Sequence, residues 1–181
     1  MRHSRARRST TGLLALLCGV LLVGPVAAQQ VTEQAVKAGF VYNFIKFTHW
    51  PSQQVGEKYH LLICVTSDKP LDGHIAQLTG RSVGARTIEV RRNVGVNDWA
   101  NCDVLFIAQS EEHQRDAYLR SLGNAPVLTV GDTPDFIKAG GMIGLRMQES
   151  RVKFDVNLGS AQRAGLQLNS QMLKLAGEVL K

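Results

Sequence analysis

Val104-Leu105-Phe106-Ile107-Ala108 is apolar at every position and shows none of the alternation of a strand with one wet face. Two comparable runs flank it, Leu61-Leu62-Ile63-Cys64-Val65 upstream and Val127-Leu128-Thr129-Val130 downstream. Short runs of this kind fit strands covered on both faces, which is the pattern of a parallel sheet. Helix-like segments separate them. Asp72 to Leu78 follows Pro70 and ends at Gly80, Glu111 to Leu122 ends at Gly123, and Thr87 to Val90 reads as a weaker strand between the first two runs. Strands alternating with helices predict an α/β fold, a mostly parallel sheet flanked by helices in a Rossmann-like three-layer arrangement.

Further along, the pattern changes. Ile143, Leu145 and Met147 alternate with Gly144, Arg146 and Gln148, and Val152, Phe154 and Val156 alternate with Lys153, Asp155 and Asn157. A turn at Glu149-Ser150 pairs Met147 with Val152, Leu145 with Phe154 and Ile143 with Val156, so one register places every apolar side chain on one face. The sheet therefore ends in an antiparallel hairpin. Its outward row sets Arg146 opposite Lys153, with Asp155 available diagonally to relieve the repulsion. A short helix from Ser160 to Ala164 should stop at Gly165. Asn169 or Ser170 should then cap a final amphipathic helix containing Met172, Leu173, Leu175, Ala176, Val179 and Leu180.

Toward the N-terminus, Val36, Phe40, Phe44 and Phe47 recur at helical spacing, widened by Val41 and Ile45. Thr32 is the expected N-cap, Pro51 the stop after Trp50, and Lys37 and Lys46 are left for solvent. Five of the eleven aromatic residues lie between Phe40 and Trp50. Core packing accounts for most of them, yet Phe40 to Lys46 is more apolar than a one-sided helix requires, and a second buried surface is expected.

The 181 residues carry a formal charge of +6, but unevenly. Arg2, Arg5, Arg7 and Arg8 precede an apolar stretch from Gly12 to Gly24 and then Pro25-Val26-Ala27-Ala28, and no acid occurs before Glu33. That order reads as a secretory signal peptide over residues 1–28, cut near Ala28, followed by one α/β domain over 29–181. Without the signal the charge falls to about +2, and the remaining Lys and Arg are scattered, which argues against a nucleic-acid partner. Cys18 leaves with the signal. Cys64 and Cys102 remain, and in an oxidising compartment they are most simply a disulfide, two separate buried thiols being the alternative.

No recognised catalytic or cofactor pattern appears. The first strand runs into Thr66-Ser67-Asp68-Lys69-Pro70, without glycine for a phosphate, and Gly140-Gly141-Met142-Ile143-Gly144 lacks dinucleotide spacing. There is no nucleophile elbow, no paired-histidine metal motif and no C-x-x-C. Ser110 near His113 reads as a helix N-cap. Thr133-Pro134, within Asp132-Thr133-Pro134-Asp135, reads as a helix start just beyond the third parallel strand, where α/β proteins place ligands. Arg163, Gln167 and Asn169 are candidate linings of a small-ligand pocket. No metal, cofactor or catalytic residue is assigned.

Lys37-Ala38-Gly39-Phe40-Val41-Tyr42-Asn43-Phe44-Ile45-Lys46-Phe47-Thr48-His49-Trp50-Pro51 closely resembles the opening helix of the YfiR-like periplasmic proteins. Cys64-Val65, Cys102 to Ile107, Pro126 to Val130, Gly140 to Ile143, Val152 to Asn157 and Ala164-Gly165-Leu166 match the same family in order. The resemblance implies an exported, non-enzymatic repressor. Its target would be the periplasmic sensor portion of an inner-membrane diguanylate cyclase, so that it limits cyclic di-GMP and biofilm formation. It also implies release by an OmpA-like outer-membrane lipoprotein, a homodimer, and a structural Cys64–Cys102 bridge. A second cysteine pair found in some members near the hairpin has no counterpart here. The opening helix is the first candidate partner surface, with Tyr42, Phe44, Phe47 and Trp50 as anchors; Phe44 and Phe47 are also readable as core, which makes Tyr42 and Trp50 the stronger anchors. The alternative is a small-molecule sensor partnering a membrane histidine kinase.

Overall fold

The three apolar runs become adjacent parallel strands at the centre of a sheet. The computed structural model describes residues 32–51, 60–67 and 70–181, all within one unit, Val31–Lys181. The expected signal peptide and Cys18 lie outside the described residues. In chain order the elements are helix α1 (Glu33–Lys46), β1 (Thr48–His49), β2 (His60–Val65), α2 (Pro70–Ala76), β3 (Ser82–Val83) and β4 (Arg86–Arg92). A 3₁₀ turn (Val96–Asn101), β5 (Val104–Ile107), a second 3₁₀ turn (Gln109–Gln114), α3 (Arg115–Leu122) and β6 (Leu128–Gly131) follow. The chain closes with β7 (Ile143–Gln148), β8 (Arg151–Asn157), α4 (Leu158–Arg163), β9 (Gln167–Leu168), α5 (Ser170–Leu173) and β10 (Val179–Leu180).

Among the described residues the main sheet has eight strands in the order β10-β8-β7-β6-β5-β2-β4-β3. Neighbours are parallel except β3 with β4 and β7 with β8. From β2 the chain goes to β4 on one side and then to β5 on the other, so the strand order reverses between β2 and β5. β1 and β9 pair antiparallel as a separate ribbon.

Alternation along the central strands sorts the core into two layers. Leu61, Ile63, Val65, Val104 and Phe106 face α1 and α2 with Val41, Phe44, Ile45 and Ile75. Cys64, Leu105 and Ile107 face the other way, against Trp99, Cys102, Val127 and Phe136, with Tyr118, Leu119 and Leu122 of α3 packed over them. The fold is thus a three-layer α/β sandwich, and the continuous apolar runs are explained by both faces being covered.

The hairpin has the expected register: Met147 opposes Val152, Leu145 opposes Phe154 and Ile143 opposes Val156. Glu149 and Ser150 form its turn with φ of 49° and 59°. Positive φ at both turn residues matches the right-handed twist of the strands. Arg146 faces Lys153 and is neutralised by Asp155, its Nε 2.6 Å from Oδ2. One detail differs, since Met147 is 44% exposed although it shares the apolar face.

Four local expectations are corrected. Helix α1 is capped by Thr32, whose Oγ1 accepts from Ala35 N, but it ends at Lys46 rather than at Pro51. Thr48 Oγ1 donates to Phe44 O at 2.7 Å and Asn169 N donates to Phe47 O at 2.9 Å, so the chain after Phe47 leaves the helix to pair with β9. The second departure is Lys37, which is buried rather than solvated. Third, the last segment is helical only over Ser170–Leu173, capped by Asn169, because Val179–Leu180 pairs parallel with β8 as a sheet edge. Gly177 makes that reversal tolerable: a Cβ there would meet Arg146 Nη2 and Asp155 Oδ1. Leu175 is left 74% exposed. Finally, Thr133-Pro134 starts no regular helix; residues 134–140 are turns, with Asp135 at φ 50°.

Candidate functional site

Two regions bring polar chemistry together, and α1 contributes Lys37 to the second. The first surrounds Trp50. Its indole Nε1 donates to Asp103 O at 3.1 Å, and the Arg86 guanidinium lies 5.3 Å from its ring centre. Asp103 is 1% exposed and follows the disulfide cysteine Cys102. Its Oδ2 accepts from Leu62 N at 2.8 Å, while Oδ1 stands 3.7 Å from Arg86 Nη1, an ion pair without a hydrogen bond. Oδ1 and Nη1 have no hydrogen-bond partner among the described residues. Cys64 and Cys102 are bonded, with Cα atoms 6.0 Å apart, inside the usual disulfide range. The bridge therefore fixes β2 to the segment leading into β5, and Trp50 and Arg86 close over that junction.

Of the candidate anchors, Phe44 is 1% exposed and packs edge-on to Phe154 with ring centres 4.9 Å apart. Trp50 is 7% exposed. Both belong to the core, and a partner would not reach them without rearrangement. Tyr42 and Phe47 are half-buried. The Tyr42 hydroxyl donates to Ser82 O at 3.1 Å, and Arg81 and Lys46 approach its ring at 5.1 and 5.6 Å, which marks the edge of α1 nearest β3 as cationic and aromatic.

The second region is an open groove of about 560 Å³ at the carboxyl ends of β5 and β6. Lys37 reaches it from α1 and is held by Glu33 at 2.8 Å and Asp132 at 2.9 Å. Asp132 also accepts from Gln109 N at 2.8 Å. Burial alone would lower the pKa of Lys37, but the two hydrogen-bonded carboxylates outweigh it and raise it above the usual lysine value. The sequence pointed to Asp132 as a position beyond a parallel strand. It gave no sign of Lys37, which sits 95 residues away and reads as an ordinary exposed helix lysine.

The proposed small-ligand residues do not converge. Arg163 donates to Ser160 Oγ at 2.8 Å beside a cavity of about 100 Å³ that includes neither Gln167 nor Asn169. Gln167 pairs with His49 in the ribbon, and Asn169 caps α5. Ser110 is not a cap; its hydroxyl donates to Ser67 Oγ at 3.3 Å, and Ala108 occupies the cap position. Among the described residues no three His, Cys, Asp or Glu side chains gather as metal ligands, and no helix is long and apolar enough to cross a membrane.

A family model described as YfiR/HmsC-like matches residues 34–177. Among solved structures, the chain is similar to a conserved domain protein from Vibrio cholerae, at 8% identity and a TM-score of 0.53, over 82% of this chain and 60% of that one. It is also similar to an ABC domain from Streptococcus pneumoniae in complex with L-Trp, at 12% identity and a TM-score of 0.47, over 66% of this chain and 54% of that one. The chain thus spans less than two thirds of either structure, and the likeness to the Vibrio domain is one of fold. The family match, by contrast, runs from the first turn of α1 almost to β10, and the chain belongs to the YfiR/HmsC-like family.

Proposed function

We propose that this protein is exported with residues 1–28 as its signal peptide and acts in the periplasm. There it docks on the periplasmic part of an inner-membrane diguanylate cyclase, represses cyclic di-GMP synthesis and so limits biofilm formation. The observation that carries the reading is the family match over residues 34–177, because the YfiR/HmsC-like family is one of regulators of diguanylate cyclase pathways. Regulation of this kind needs no chemistry. A binder with about 2.7 kcal/mol of preference for the inactive receptor shifts its equilibrium roughly a hundredfold.

The α1 edge around Tyr42 is the docking surface of this reading, with Phe47 as a second contact. Phe44 and Trp50 are buried and serve as core rather than as contacts in this reading. The protein works as a homodimer, and an OmpA-like outer-membrane lipoprotein competes for it. Deleting the gene should raise cyclic di-GMP, and the purified protein should bind the cyclase's periplasmic segment. Unchanged dinucleotide together with no binding would reject the reading.

A further inference from the structure

Arg81 and Lys46 are exposed cations that share one ring. Their charged atoms lie 5.1 and 5.6 Å from the centre of Tyr42, and neither forms an ion pair among the described residues. Lys37, Lys138 and Arg146, by contrast, each have a carboxylate within 3.0 Å. Tyr42 donates its hydroxyl to Ser82 O at 3.1 Å, which holds the ring in place. The two charges therefore gather at a fixed aromatic platform and leave a positive potential there that no described carboxylate neutralises.

Beside this edge, α1 and α2 leave a slot of about 320 Å³ between them. Ala35 and Gly39 line it on α1, with His74 on α2 and Gln77, Leu78 and Arg81 just beyond α2. Ala35, Gly39, Tyr42 and Lys46 follow one another at spacings of four, three and four, so the slot, the ring and one cation form a single row down the helix. Gly39 sits in the middle of α1, where glycine is less favourable than alanine. A Cβ there would meet nothing within 4 Å, so packing inside the chain does not demand a glycine. What the missing side chain keeps open is the slot.

We infer that the slot and its cationic end take an acidic segment of the receptor's periplasmic part, which lies over Gly39 and sets its carboxylates on Arg81 and Lys46. The inference rests on the docking reading above and adds to it the chemistry of the partner. A basic segment would be repelled by the two charges, and a purely apolar one would strip them of water without replacing it.

Binding of the purified protein to the cyclase's periplasmic segment should weaken about tenfold or more in Arg81→Glu, and should fall as salt is added. Gly39→Gln, which fills the slot, should weaken binding as much while the melting temperature stays at or above that of the wild type. Gly39→Ala should raise the melting temperature by about 2–4 °C and keep binding. Arg120→Glu, at an exposed position of α3 on the opposite face of the sheet, should leave binding unchanged. Wild-type binding that survives both Arg81→Glu and Gly39→Gln would overturn the inference and leave the docking reading standing. So would equal weakening by Arg120→Glu, which would indicate diffuse charge attraction. No binding by the wild type would overturn the docking reading and this inference with it.

Discussion

Lys37 Nζ lies 2.9 Å from Asp132 Oδ2, joining the first turns of α1 to the residue that follows β6. Both side chains are about nine-tenths buried. A helix and a strand 95 residues apart in sequence are therefore held by a charge pair in a poorly solvated place, which is worth more than the usual surface pair.

Lys37→Met keeps the aliphatic stem and removes the ammonium, leaving Asp132 without its cation. Thermal unfolding should show a loss of about 2 kcal/mol, or roughly 5 °C for a domain of this size. The pH dependence follows from the raised lysine pKa. Its stabilisation is complete below the ordinary value of 10.5 and is lost as pH rises through the higher folded value. The wild-type advantage over Lys37→Met should accordingly hold constant near neutrality and shrink only in strong alkali. A gap that closed between pH 7 and 9 would contradict the assignment.

The disulfide gives a second expectation. It spans a separation of 38 residues, for which loop-closure entropy sets an upper bound on the order of 4 kcal/mol. Cys64→Ser, or reduction of the wild type, should lower the melting temperature by up to about 10 °C. Titration of the native protein in denaturant should find no free thiol at Cys64 or Cys102.

Phe136 supplies a packing test. Its ring lies between the backbones of Gly131 and Gly141, and a Cβ at either position would overlap it. Gly141→Ala should destabilise by about 1–3 kcal/mol, as overpacked cores do. Adding Phe136→Leu should make the two losses clearly less than additive, because the smaller side chain vacates the space the new methyl needs. Strict additivity would show that the ring is not wedged there.

These pairings mark where the sequence could be read and where it could not. Central strands and hairpin register were legible because burial on two faces, or on one, leaves a periodicity in the chain itself. Helix α1 was legible from Thr32 to Lys46, but its end was not. Pro51 is a strong local stop, whereas the actual stop is a pairing of Thr48 with Leu168, far along the chain. The same holds for Val179–Leu180, whose apolar residues fit a helical stripe until β8 offers them a parallel edge. Asp132 could be suspected from its place after a strand. Lys37 could not, since nothing local distinguishes a lysine that faces water from one that faces a distant aspartate.

Tyr42 and Trp50 share a segment but should respond differently to truncation. Trp50→Ala removes a buried indole, its hydrogen bond to Asp103 O and the surface on which Arg86 rests, so the fold should lose about 3–5 kcal/mol. Any loss of repression there would follow from a lower folded fraction. Tyr42→Ala removes a half-buried ring and one hydrogen bond to Ser82 O at the surface, so the fold should lose closer to 1 kcal/mol. If the α1 edge is the docking surface, Tyr42→Ala should raise cyclic di-GMP in cells while the protein level and melting temperature stay near those of the wild type. Binding of the purified variant to the cyclase segment should weaken by at least about tenfold, as expected when an aromatic anchor is cut from an interface. Full binding by Tyr42→Ala would move the docking surface off this helix and leave its aromatic residues with a packing role alone.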